Sequence, residues 1–320
     1  MSLSGHDEAW REWRAAMMSS RMHHAWILSG LRGIGKGAFA KAAAAELVAE
    51  AGISQPRPAA HPDIITLDHL PANDDEEKKR AEGKPFQTKR NITIDQIRRM
   101  QQRLVTRPTL GSRRVIIIDP ADDMEKNAVN ALLKSLEEPP AGTFFLLVTH
   151  RAGRLLPTIR SRCRVLRFAP LGASEVERIL AREAPQADTA TRAAAIAAAE
   201  GSPGAALEFV GQELSALHGL MLRLLRDGDE DFALRGALAE EIGARPDRER
   251  MQAAVELARA VLAAELGGAS RERQGRIIEA HGALVRFGGQ LPTYNFDPGL
   301  AVMEIGGLLA SAAAPREAAA

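Results

Sequence analysis

Four short stretches of the 320-residue chain carry side chains that could bind or act on phosphate. The first, Gly30-Leu31-Arg32-Gly33-Ile34-Gly35-Lys36-Gly37, sets glycines at 30, 33 and 35 directly ahead of a lysine. Glycine lets backbone N–H groups approach phosphate oxygens, a helix N-terminus adds positive potential, and Lys36 would reach the terminal phosphates. Asp119 and Thr149 each follow an apolar run and offer polar side chains at matching places. The fourth stretch, Leu155 to Arg164 (LLPTIRSRCR), gathers Arg160, Arg162, Arg164 and the lone cysteine, Cys163. Guanidinium is always charged and forks onto phosphate oxygens, so it is the arginines here that have phosphate chemistry. Cys163 has no histidine in its own neighbourhood and reads as a small apolar residue, not a nucleophile.

These residues need a frame. Val115–Ile118 and Phe144–Val148 are continuous apolar runs, the pattern of strands buried on both faces of a parallel sheet. Between them Ala128, Val129, Leu132, Leu133 and Leu136 recur at helical spacing, and Pro139-Pro140 ends that helix. Ala25–Leu28 reads as the strand before the glycine loop, and Phe39, Leu47 and Val48 lie in the helix after it. Ligands of open α/β sheets sit at the carboxyl ends of the strands, so Lys36, Asp119 and Thr149 should face one crevice.

The linked motifs NALLKSLEEPP, a strand ending in Thr149, and LLPTIRSRC resemble the clamp-loader branch of the AAA+ ATPases, and the resemblance covers roughly Met22 to Leu207. It implies an α/β fold: an AAA+ P-loop parallel-sheet domain over 1–168, a small helical lid over 169–211, and an all-helical collar for oligomerisation over 212–320. It also makes Ser161, Arg162 and Cys163 the branch's SRC signature, and Arg162 an arginine finger that completes a neighbouring subunit's ATP site. A structural arginine paired with an acid at the domain edge is the competing reading for Arg162, and the expected one for Arg160 and Arg164.

Three departures touch the same reaction. Gly37 stands where Ser or Thr would give Mg²⁺ a hydroxyl, Pro120 stands where a Glu after Asp119 would orient water, and Gly204 in EGSPGAAL replaces a nucleotide-sensing arginine. The nucleotide site of Gly30, Gly33, Gly35, Lys36, Asp119 and Thr149 is therefore degenerate, with no ATPase activity of its own expected. Lys36 either still binds ATP, ADP or phosphate or belongs to a retained scaffold loop; no cofactor is required. The resemblance then implies a stator subunit in a DNA polymerase III clamp loader. Its partners would be motor subunits of the gamma/tau type and a delta subunit, with the sliding clamp and primer-template DNA reached through the complex. An ATP-hydrolysing gamma/tau-type motor is the alternative, and positions 37, 120 and 204 discriminate. A free-standing kinase or ATPase is disfavoured, because the SRC signature has no role without a neighbour's nucleotide.

Composition sets the outer limits. With 45% apolar and 26% charged residues and a net charge of +1, the chain has an ordinary globular make-up and no field suited to a lone DNA-binding protein. One cysteine excludes an intrachain disulfide, and 51–60 lacks the cysteines by which, the resemblance implies, such subunits hold zinc. No apolar run approaches the length of a membrane span, so a cytoplasmic protein with no membrane contact is expected.

The remaining elements follow from periodicity. Trp10, Trp13, Met17 and Met18 mark the core face of an opening helix, and His23-His24 lead into the first strand. Ala72–Asn91 reads as a solvated loop and Ile92-Thr93-Ile94 as a short strand. Ser174 with Glu177 has capping-box spacing, Arg192–Ala199 is helical, and Gly201–Gly204 turns into a further helix. Leu214, Leu217, Leu220, Met221, Leu224, Leu225, Val255, Leu257, Val261 and Leu262 mark apolar helix faces; Asn295-Phe296-Asp297 precedes a last helix, and the Ala-rich terminus is frayed.

Overall fold

The computed structural model describes residues 5–19, 21–246, 248–291 and 296–313, so Asn295 and the Ala-rich terminus lie outside the described residues. The chain forms two compact units, Met1–Leu171 and Gly172–Ala320.

The first unit is built on a parallel sheet. Its strands are β1 (Ala25–Ser29), β2 (Ile64–Leu67), β3 (Arg114–Ile118), β4 (Thr143–Thr149) and β5 (Arg164–Arg167), in the order β2-β3-β4-β1-β5. Its helices are α1 (Asp7–Met17), α2 (Lys36–Val48), α3 (Asp74–Ala81), α4 (Ile94–Leu104), α5 (Lys126–Glu137) and the single turn α6 (Pro157–Arg160). Side chains of a strand alternate between faces, and the alternation divides the core in two. Trp26, Leu28, Val115, Ile117, Leu146 and Val148 pack under α1 and α2, while Ile27, Ile116, Ile118, Phe145 and Leu147 pack under α4, α5 and α6. Both faces are covered, which is why the central strands read as unbroken apolar runs.

Four local expectations are corrected. The charged stretch after Ala72 is no loop: Asn73 caps α3 by accepting from the N–H groups of Asp75 and Glu76, and DDEEKKRA puts acids in the first turn and bases in the last. That order complements the helix dipole. Ile92 makes only an isolated bridge to Met124, and Thr93 caps α4, its N–H donating to Gln96 Oε1, so no strand covers 92–94. The capping glutamate after Phe168 is Glu175, which accepts from the Gly172 N–H; Glu177 pairs with Arg192 instead. Trp13 is fully buried in α1, but Met18 lies past its end and is 88% exposed.

The second unit is all helical. It comprises α7 (Ala173–Glu183), α8 (Thr189–Ala198), α9 (Pro203–Gly211), α10 (Ser215–Asp227) and α11 (Ala233–Ile242), then α12 (Arg248–Leu266), α13 (Arg271–Gln290) and α14 (Pro298–Ser311). Leu217, Met221, Leu224, Val255, Leu257, Val261 and Leu262 are all buried. Within this unit α8 packs against α10 and α12 as well as against α9. No described helix is long and apolar enough to cross a membrane.

Candidate functional site

The glycine loop joins β1 to α2, with Gly33 and Gly35 at φ +74° and +106°, values glycine adopts without strain. Gly30 is needed for a different reason: a Cβ there would lie 2.6 Å from the Phe168 carbonyl oxygen. Lys36 turns back on its own loop. It is 2% exposed, and Nζ donates to the carbonyls of Gly30 at 2.8 Å and Leu31 at 2.6 Å. Burial draws its ammonium down to about 8, against the opposing pull of Asp119 and Asp122.

Asp119 follows β3 and presses on the start of α2. A Cβ at position 37 would clash with Asp119 Oδ2, so the carboxylate occupies the space where a side chain at this position would begin. Burial raises the Asp119 pKa, with Lys36 and Lys41 opposing. Gly37→Thr is therefore expected to displace this carboxylate and lower stability by about 1–3 kcal/mol, the scale of overpacking. Urea unfolding of the pure chain measures the loss, and a variant as stable as the parent would refute the packing argument.

Thr149, at the end of β4, is fully buried and donates its hydroxyl to Asp122, while its Oγ1 accepts from the Arg151 N–H at 3.1 Å. The second Asp122 oxygen accepts from the His150 N–H. Burial, with Lys36 and Arg32 nearby, holds the His150 imidazole down at about 4, so it is neutral at pH 7. His6 closes the loop from the amino-terminal side: Nε2 donates to the Ile34 carbonyl at 2.7 Å, and its ring meets Phe168 edge-on at 5.0 Å. Lys36, Asp119 and Thr149 thus converge at the carboxyl ends of the strands, each engaged by the protein. Asp122 and His6 were not signalled by any motif. Gly204 lies in α9, in the second unit. Among the described residues, no three His, Cys, Asp or Glu side chains are grouped to hold a metal.

The SRC residues lie elsewhere. Arg164 at the start of β5 is level with Trp26, three residues before the end of β1, so Arg162 sits at the amino ends of the strands. At about 3.3 Å per residue, that edge is roughly 10 Å or more from the glycine loop. Ser161 Oγ donates to the Thr158 carbonyl at 3.1 Å, and Arg162 Nη1 donates to the same carbonyl at 2.9 Å. Arg162 Nη2 pairs with Glu137 at 2.6 Å, both side chains being partly exposed at 34% and 49%. Arg164 pairs with Glu12 at 3.0 Å and stacks over the Trp26 ring, whereas Arg160 is exposed. Cys163 packs against the core under α5, and burial pushes its thiol up to about 12, far from a thiolate at neutral pH.

The upstream His61-Pro62-Asp63 is a structural element. The buried Asp63 carboxylate accepts from the N–H groups of Thr109 and Leu110, at 2.7 and 2.8 Å. His61 Nδ1 accepts from the Asp63 N–H at 3.0 Å.

Comparison with known proteins places the chain in a family. A family model described as DNA polymerase III, delta subunit, matches residues 5–172, more than half of the chain. A DNA polymerase III subunit delta' of Pseudomonas aeruginosa is 35% identical over 223 residues, 62% of this chain and 61% of that protein. The Escherichia coli subunit delta' is 32% identical over 204 residues, 60% of this chain and 56% of that protein. The matched part thus spans less than two thirds of either relative. The solved structure of a DNA polymerase III gamma subunit-related protein from Thermotoga maritima covers 95% of this chain and 98% of its own, with a TM-score of 0.50 at 21% identity, which bears on the fold alone. With the family model matched across the whole sheet unit, the chain belongs to the delta-prime family of DNA polymerase III subunits.

Proposed function

We propose that this chain is the stator subunit of a bacterial clamp loader, supporting the ATP-dependent placement of a sliding clamp on primer-template DNA. It would do so in the cytoplasm, beside gamma/tau-type motor subunits and a delta subunit, with 169–211 as a lid and 212–320 as the collar domain. The observation that carries this reading is the separation of two phosphate chemistries on one sheet. The chain's own loop, at the carboxyl ends of the strands, has Lys36 folded onto the Gly30 and Leu31 carbonyls and Asp119 pressed against the bare Cα of Gly37. Arg162, the residue able to stabilise charge on a γ-phosphate, is at the opposite edge and too far to serve that loop. On this reading the guanidinium serves another subunit's nucleotide. The loop itself is read as a scaffold, with no cofactor required and ATP, ADP or phosphate at most a weak ligand.

The pure chain should hydrolyse ATP no faster than buffer, since Mg²⁺ placement and water orientation both lack their side chains at Gly37 and Pro120. Phosphate release by the purified protein measures this. Turnover that disappeared in Lys36→Ala would overturn the stator reading and favour a motor subunit.

A further inference from the structure

The contact between Glu137 and Arg162 joins two stiff anchors. Glu137 is the last residue of α5, whose final turn is held by His24, Nε2 donating to the Leu136 carbonyl at 2.9 Å. Pro139 and Pro140 prevent the helix from running on. On the other side α6 is pinned by Ile159, which is fully buried. Arg162 spans the two: Nη2 on Glu137 at 2.6 Å, Nη1 on the Thr158 carbonyl at 2.9 Å and on Ser161 Oγ at 3.4 Å. Nη1 is thus hydrogen-bonded within its own turn, and Nη2 is held against a carboxylate as an ion pair. Among the described residues Nε makes no hydrogen bond, which leaves that side of the guanidinium to take a phosphate oxygen.

We infer that Glu137 is the positioning residue for Arg162, holding the guanidinium in one place so that its Nε side can meet a neighbour's phosphate. The inference rests on the reading of Arg162 as acting in trans. A free arginine has large rotamer freedom, and a finger ordered before the nucleotide arrives loses less on engaging it. The carboxylate's own charge works against the finger's potential, but Glu137 is half exposed and water screens that opposition. Orientation outweighs it. Ser161 has the same task from the other side, as a neutral acceptor that does not compete with phosphate.

The test measures ATP hydrolysis by the complete clamp-loader complex, reconstituted with this chain as wild type, Glu137→Ala, Glu137→Gln, Arg162→Ala or the Glu137→Ala/Arg162→Ala double variant. The part of the rate lost in Arg162→Ala defines the finger-dependent turnover. Glu137→Ala should lower that part about 3- to 30-fold, up to the rotamer freedom of one arginine expressed as a rate, with the half-saturating ATP concentration unchanged. Glu137→Gln should keep only part of it, since the amide oxygen fills the place of the carboxylate but lacks the charge of the pair, and the double variant should be no slower than Arg162→Ala. If Glu137→Ala fails to assemble, Glu137→Thr, also too short to reach, carries the same test. A Glu137→Ala complex as fast as wild type, or faster, beside a slow Arg162→Ala complex would overturn the positioning role alone. Wild-type turnover in Arg162→Ala would remove the in-trans reading beneath it.

Discussion

Arg162→Ala should abolish nearly all hydrolysis at one ATP site of the assembled loader while leaving this chain folded and the complex intact. An arginine finger contributes about 10³ to 10⁵ in rate, roughly 4 to 7 kcal/mol of transition-state stabilisation. Its side chain here is one third exposed and its partner Glu137 about half exposed. Such a pair contributes at most about 1 kcal/mol to folding, so the variant's unfolding should shift little. The contrast between a large catalytic loss and a small stability loss is what separates a finger from a structural arginine. Because the other sites of a ring would keep their own fingers, total ATPase falls partially and clamp loading, which requires every step of the cycle, falls further. Single-turnover phosphate release should resolve the slow site. Arg162→Lys should rescue poorly, because an ammonium cannot fork across two phosphate oxygens. An Ala complex that loads clamps at the wild-type rate would return Arg162 to the role that its contact with Glu137 alone would suggest.

How much of this could be read without coordinates depended on how local each signal was. β3 and β4 were legible because burial on both faces leaves no polar alternation in Val115–Ile118 or Phe144–Val148. β2 and β5, each of four residues at the two edges of the sheet, were not singled out as strands; β5 buries only Leu166 and exposes two arginines, as edge strands do. The acid-then-base order of α3 is visible in DDEEKKRA, but a stretch with almost no apolar residues has no periodicity to mark it as a helix, and only position along the dipole does. Lys36, Asp119 and Thr149 were readable as a crevice, because a parallel sheet sends the ends of its strands to one side. What engages them was not. His6 meets Ile34 across 28 residues and Asp122 meets Thr149 across 27, and neither pairing has a motif. The same limit hid Glu137, which stands in the recognised LEEPP segment but acquires meaning only when α6 brings Arg162 to it.

The largest stability effect should come from Asp63, a residue the sequence marks only as part of His-Pro-Asp. Asp63 and Arg114 form a pair whose side chains are 1% and 4% exposed, with Oδ1 3.7 Å from Nη2. Arg114 donates to the carbonyls of Arg103, Thr106 and Arg107, and the Asp63 carboxylate takes the N–H groups of Thr109 and Leu110. Both chains enter the sheet here, since the Val115 N–H donates to the Asp63 carbonyl at 2.8 Å and β2 begins at Ile64. Asp63→Ala would leave a buried guanidinium with carbonyl partners but no counter-charge, and two backbone donors without an acceptor. Breaking a buried pair from one side costs about 3–5 kcal/mol. In a unit of this size that lowers the melting temperature by about 6–20 °C. Asp63→Asn should lose less, since its amide oxygen still accepts one of the two N–H groups. Arg114→Met in the Asp63→Asn background should not recover the loss, because it removes the stranded charge but leaves the Arg103, Thr106 and Arg107 carbonyls without their donor. The glycine loop follows β1 and Arg162 precedes β5, away from β2 and the start of β3, so at low temperature the Asp63→Ala complex should retain finger-dependent ATPase. Urea unfolding that places Asp63→Ala within about 1 kcal/mol of the parent would mean that water reaches Arg114 and that the pair is not the clasp between β2 and β3.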